Sequence, residues 1–131
     1  MNKIEELVGA DFFENKEYEC KLQLESSADK IEKWAKTLVG FANAYVGYIF
    51  VGVSNDGNIV GLNKDEVDKT KALVLKTINR YIFPHIQVTF STCLYKEGKY
   101  VLLIWTDYID EMAIFKSGDF SEKVYLREDG S

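Results

Sequence analysis

Three carboxylates fall within six residues near the start of the chain: Glu14, Glu17 and Glu19, in a run (ENKEYECK) that ends on Lys21. Clustered carboxylates can hold Mg²⁺ or Mn²⁺, because hard cations take oxygen ligands, and such a pair of ligand and metal supports phosphodiester cleavage. On a strand Glu17 and Glu19 share one face, since side chains repeat every two residues, and Glu14 falls in the preceding loop. The plainer reading of acidic residues at a strand entrance is solvated surface. Lys21 is suited to phosphate as a point charge, or to an internal ion pair with one of these glutamates.

Other chemistries are excluded by count. His85 is the sole histidine, and Cys20 and Cys93 stand far apart without CxxC or CxxH company. That rules out a Cys/His zinc site of conventional spacing and a catalytic histidine pair. No GxxxxGK[ST] is present, so there is no P-loop. The chain of 131 residues carries a net charge of −5 and a pI near 4.9, whereas nucleic-acid binders usually show a basic footprint. The charge is uneven, however: Lys30, Lys33, Lys36, Lys69, Lys71, Lys76 and Arg80 all sit in predicted helices. They form either a local basic face or an ordinary solvated helix surface. The longest apolar stretch, Val46 to Val53, holds two glycines and is too short to span a bilayer. The N-terminal MNKIEELVGADFF has acidic residues where a signal peptide would be apolar. A cytoplasmic protein with two ordinary thiols is the expectation.

The elements that must position these residues follow from periodicity. A short peripheral helix is predicted over Lys3 to Val8. Tyr18 to Leu22 alternates apolar with polar, as a half-buried strand does. Ser26-Ser27-Ala28-Asp29 supplies helix-start chemistry before Ile31, Trp34, Leu38 and Phe41, which lie three or four apart on one stripe. Tyr48 to Val53 reads as a central strand, Asn55-Asp56-Gly57 as a turn, and Ile59 to Gly61 as a short returning strand. A second helix is predicted from Lys64 to Tyr81, with Val67, Leu73, Val74 and Ile78 inward and Pro84 as its stop. Gln87 to Tyr95 and Lys99 to Thr106 form a hairpin around Glu97-Gly98 that packs on the helices. Ala113 to Phe115 and Val124 to Leu126 are weaker strands. The sum is a single α+β domain over residues 1–131, with a mixed or antiparallel sheet of about six strands and two main helices.

Several of these segments carry family motifs. Glu14 with Glu19-Cys20-Lys21 is similar to E-x-x-x-x-E-F-K, with Cys for Phe. Gly40-Phe41-Ala42-Asn43-Ala44-Tyr45-Val46-Gly47 followed by a strand and Gly52-Val53-Ser54-Asn55-Asp56-Gly57 is similar to A-F-A-N-x-x-G-G and G-V-x-D-x-G. Pro84 after the second helix, and Tyr125-Leu126-Arg127 before Gly130-Ser131, continue the order. From Glu14 to its end the chain thus resembles the Schlafen/AlbA_2 family, described as DNA-binding domains of a divergent AAA-4 type.

The resemblance implies a nucleic-acid-binding module of a transcriptional regulator or nucleic-acid-processing protein. It also implies that the chain can be the N-terminal part of a longer one, since family members often continue into a domain such as a winged helix. In vertebrate Schlafen proteins a site of this kind cleaves structured RNAs such as tRNA, using two glutamates and an aspartate. By motif, Glu14 and Glu19 are the two glutamates and would hold the Mg²⁺ or Mn²⁺. The third carboxylate would come from the turn after the central strand, where this chain has Asn55 and, beside it, Asp56. A neutral amide in place of an anionic ligand weakens divalent-metal binding. Val46 in place of the first glycine of its motif is a second departure.

Three functions are therefore carried forward. The first is phosphate-backbone binding through Lys21, Arg127, Lys33 and Lys36, with Asn43 either at the nucleic acid or holding its own turn through side-chain hydrogen bonds, and with no metal or other cofactor needed. The second is a metal-dependent ribonuclease using Glu14, Glu19 and Asp56. The third is an interaction domain that forms a homodimer, with an exposed apolar patch around Ile109, Met112, Ile114 and Phe115. No membrane partner is expected.

Overall fold

The computed structural model describes residues 17–43, 47–84, 86–106 and 113–116. The elements are β1 (Glu17–Lys21), α1 (Ala28–Asn43), β2 (Gly47–Val51), α2 (Lys64–Tyr81), β3 (Ile82–Phe83), β4 (Val88–Lys96), β5 (Lys99–Thr106) and β6 (Ile114–Phe115). The Lys3–Val8 helix and the Val124–Leu126 strand expected from sequence lie outside the described residues.

Both helices form for local reasons. α1 buries Trp34, Leu38 and Phe41 together with Ala35, Val39 and Ala42 on one side, the stripe that three-and-four spacing dictates. The Trp34 indole N–H donates to the Glu25 carbonyl at 3.0 Å, fixing the loop that leads into the helix. α2 occupies the predicted Lys64–Tyr81. The Asn63 side chain accepts from the Glu66 N–H at 2.8 Å and the Glu66 carboxylate accepts from the Asn63 N–H at 2.9 Å. This reciprocal cap satisfies two otherwise orphaned donors. α2 stops at Tyr81, ahead of Pro84, because Ile82 is already extended and Ile82–Phe83 pairs with Ile114–Phe115.

The described strands form two sheets rather than one of about six strands. The larger is mixed, in the order β1-β2-β5-β4, and the smaller is the antiparallel β3-β6 pair. β1 runs parallel to β2, with Glu19 opposite Ile49 and Lys21 opposite Val51; α1 is the crossover that a parallel pair requires. β2–β5 and β5–β4 are antiparallel. The fold class is α+β, as the sequence indicates.

β2 ends two residues earlier than its composition suggests. Gly52 takes φ +99 and turns the chain across the end of β1, so that the Lys21 carbonyl accepts from both the Gly52 N–H (2.7 Å) and the Val53 N–H (3.1 Å). Positive φ is a conformation glycine adopts without a Cβ penalty. The return strand is correspondingly reduced to one bridge, Val53 with Ile59.

The larger sheet is apolar on both faces. Ile49, Val51, Leu102 and Ile104 join the helices in the main core, with Val88, Phe90 and Tyr100 packed against it. Cys20, Phe50, Val53, Val101 and Leu103 form a second cluster, flanked by Tyr18, Tyr48, Ile59 and Trp105. Only half of the hairpin's side chains therefore meet the helices. This explains why β5 reads as an unbroken apolar run, Val101 to Ile104, since a central strand buried on both faces has no solvated side. No helix among the described residues is long and apolar enough to cross a membrane.

Candidate nucleic-acid interface

Parity along β1 separates its side chains. Tyr18 and Cys20 enter the second cluster, so Glu19 and Lys21 point to the helix side of this edge strand. There they meet α1. The Thr37 hydroxyl lies 3.5 Å from Glu19 Oε2 and 3.3 Å from the Lys33 carbonyl, and Lys21 Nζ lies 3.9 Å from the same Glu19 oxygen. Glu19 thus draws the Lys21 ammonium toward the α1 turn that carries Lys33, while both side chains of the pair stay about 40% exposed (43% and 38%). An ion pair that open to water adds little stability, but it leaves a lysine held near a helix surface and free to exchange partners. Lys33 is exposed and Lys36 half-buried on the following residues of α1.

Asp56 is placed differently. It sits in the exposed turn beyond β2, and both of its oxygens are used within that turn: Oδ1 accepts from the Ser54 hydroxyl and Oδ2 from Asn58 Nδ2 at 3.0 Å. The Asn58 N–H in turn donates to Ser54 Oγ at 3.1 Å. The Ser54 hydrogen bond, above all, holds the Asp56 carboxyl below the ordinary value of 3.8, helped by the backbone N–H groups and Asn58. Asn55, the motif position next to it, is exposed. Among the described residues no group of three His, Cys, Asp or Glu side chains is arranged to hold a metal ion. Glu14 and Arg127 lie outside the described residues, as does Tyr45. The described carboxylates, Glu19 and a self-engaged Asp56, do not by themselves fit a Mg²⁺ or Mn²⁺ site.

Asn43 ends α1 and spends its amide on the backbone: Nδ2 donates to the Ala113 carbonyl at 3.0 Å and Oδ1 accepts from the Ala113 N–H at 2.8 Å. The role is to hold the segment leading into β6. That segment also alters the expected apolar patch. Phe115 is buried and stacked on Tyr81, with ring centroids 5.5 Å apart, and Ile114 is half-buried; Ile109 and Met112 lie outside the described residues. Phe115 belongs to the core because β6 pairs with β3 instead of standing at the surface.

Sequence reasoning missed Thr37. Its signal was present, a polar residue four positions after Lys33 and one before the buried Leu38, but only the sheet shows what it faces.

The family model for Schlafen, AlbA_2 matches residues 14–131, and the chain belongs to this family of nucleic-acid-related domains. Among solved structures it is similar to the DIP2311 protein from Corynebacterium diphtheriae, with a TM-score of 0.47 and 16% sequence identity over 85% of this chain. The chain spans 21% of that protein's length. No curated protein matches it.

Proposed function

We propose that this domain binds nucleic acid through the phosphate backbone, using Lys21 with Lys33 and Lys36 of α1, and Arg127, as part of a cytoplasmic transcriptional regulator or nucleic-acid-processing protein. The observation that supports this reading is the convergence of Glu19 and Thr37, which keeps Lys21 beside the lysine-bearing face of α1. Asn43 is not among the contacts in this reading, since its amide is committed to Ala113. Lysines reading phosphates give binding without base specificity and with steep salt dependence.

The test is binding of labelled tRNA, duplex DNA and single-stranded DNA across a salt series, with and without Mn²⁺, with the products run on a gel. The expected result is salt-sensitive binding without cleavage. Lys21→Gln and Lys33→Gln should each reduce the salt slope by about 0.7 on single strands. Absence of binding at low salt in all three ligands would overturn the reading, and Mn²⁺-dependent cleavage abolished by Glu19→Ala would replace it with the ribonuclease.

A further inference from the structure

A cleft of about 190 Å³ opens between the first two turns of α2 and the β4–β5 hairpin, lined by Lys64, Val67, Asp68, Lys71, Thr92 and Tyr100. Lys64 and Lys71 are seven residues apart, two turns of one helix face, with the buried Val67 between them. The geometry is pinned at both walls. The Asn63–Glu66 cap fixes where α2 begins. Leu62 and Tyr100 exchange two backbone hydrogen bonds of 2.8 Å, which tie the start of the helix to β5.

The charge in this cleft is set by which carboxylates are occupied. Asp65 pairs with Lys69 at 3.0 Å, and Glu66 is bound to the Asn63 N–H. Asp68 is the one carboxylate in the lining, against two ammonium groups. Among the described residues, neither Lys64 nor Lys71 forms an ion pair. Lys71 Nζ rests 6.0 Å from the Phe90 ring centroid, at the outer limit of a cation–π contact. The opposite wall is formed by Thr92 and Tyr100, residues whose hydroxyl groups are able to donate. Two cations and two hydroxyl donors around one small volume suit an anion with three or four acceptor oxygens better than a carboxylate with two. At about 190 Å³ the cleft lies below the ~300 Å³ at which pockets enclose larger ligands. It takes a phosphate group with its ester substituents left outside.

We propose that this cleft is a phosphate-ester subsite, and that in the bound state it receives one backbone phosphate of the nucleic acid. The second clause rests on the function proposed above; the first does not. The subsite is separate from the Lys21 contact, because β1 and β4 are opposite edges of a four-stranded sheet, three strand spacings or ~14 Å apart.

Two titrations test it, followed by backbone amide resonances. Inorganic phosphate should shift Thr92 and Tyr100 selectively, and the Lys64→Gln/Lys71→Gln double variant should lose those shifts while keeping a folded spectrum. A single-stranded DNA 12-mer should bind the double variant with a salt slope lower by about 0.7, the value of one phosphate contact. Thr92→Val should weaken the phosphate shifts without changing net charge. If phosphate shifts Thr92 but the 12-mer does not bind, the nucleic-acid reading fails and the subsite serves a free phosphomonoester. Wild-type 12-mer affinity and slope in the double variant, with loss in Lys21→Gln, would overturn the strand assignment alone. Phosphate shifts absent from Thr92 and Tyr100 would overturn the subsite.

Discussion

The Asn43 side chain and the Ala113 backbone, seventy residues apart, are joined by two hydrogen bonds: amide to carbonyl at 3.0 Å and N–H to amide oxygen at 2.8 Å. Asn43 thereby locks the last turn of α1 to the segment that enters β6. Replacing it with alanine leaves the buried Ala113 donor and acceptor without partners, which costs about 2 kcal/mol or more. Asn43→Ala is expected to lower Tm by several degrees while leaving oligonucleotide affinity, measured below the transition, unchanged. A loss of affinity in a variant of wild-type Tm would assign Asn43 to the ligand instead.

Gly47 opens β2 against the Phe41 ring. A Cβ built on Gly47 would fall within that aromatic side chain, and Phe41 is itself buried, so the ring has no free space to enter. Gly47→Ala should destabilise the domain by about 3 kcal/mol, the upper part of the overpacking range. The double variant Gly47→Ala/Phe41→Leu should recover part of that loss in a chemical-denaturation series. An unchanged midpoint in Gly47→Ala would mean that α1 and β2 are not packed this closely.

What could be read from sequence was whatever a short period encodes. Tyr18 and Cys20 opposed to Glu19 and Lys21, the Trp34–Leu38–Phe41 stripe, and the limits of α2 all follow from spacing within one element. The second apolar face of the sheet was harder to see, because β5 buried on both sides loses the alternation that would reveal it. The early end of β2 depends on Gly52 adopting positive φ, which composition permits but does not dictate. In the site, the shared face of Glu19 and Lys21 was legible by parity. Thr37 beside Glu19 and Asn43 on Ala113 were not, since long-range pairing leaves no local pattern. Asp56 was legible as a turn residue, and its Ser54 and Asn58 partners lie only two positions away on either side.

The Asp56 turn makes a pH-dependent contribution of definite sign. Its carboxyl lies below 3.8 in the folded protein, chiefly through the Ser54 hydroxyl. A group whose folded pKa is depressed adds stability above its unfolded value and loses it as pH falls through the folded one. Ser54→Ala should therefore raise the Asp56 pKa toward 3.8, seen by carboxyl NMR titration, and shift the acid limb of unfolding to higher pH. Asp56→Asn should leave oligonucleotide binding intact. Selective Mn²⁺ broadening at Asp56 would contradict its assignment as a turn-closing group.

Glu19 acts on both sides of β1. Its carboxylate holds Lys21 on the helix side, and its charge also reaches the Cys20 thiol next to it in the chain. Cys20 is pushed up to about 11 from an ordinary 9.0, first by burial and then by Glu19. Burial raises Cys93 as well. At pH 8 the native Cys20 thiol should be alkylated at least about tenfold more slowly than in the unfolded chain, since a smaller thiolate fraction outweighs its greater nucleophilicity. Glu19→Gln removes the neighbouring negative charge, so it should lower the Cys20 pKa and speed its alkylation without affecting Cys93 to the same degree. The linkage runs opposite to that of Asp56. A raised folded pKa gives stability that is complete below 9.0 and lost as pH rises through about 11. Denaturation midpoints should fall across that interval in the wild type and fall less in Cys20→Ala, each measured against its own value at pH 8. Equal alkylation rates for Cys20 in the wild type and Glu19→Gln would show that the charge at position 19 is screened from the thiol.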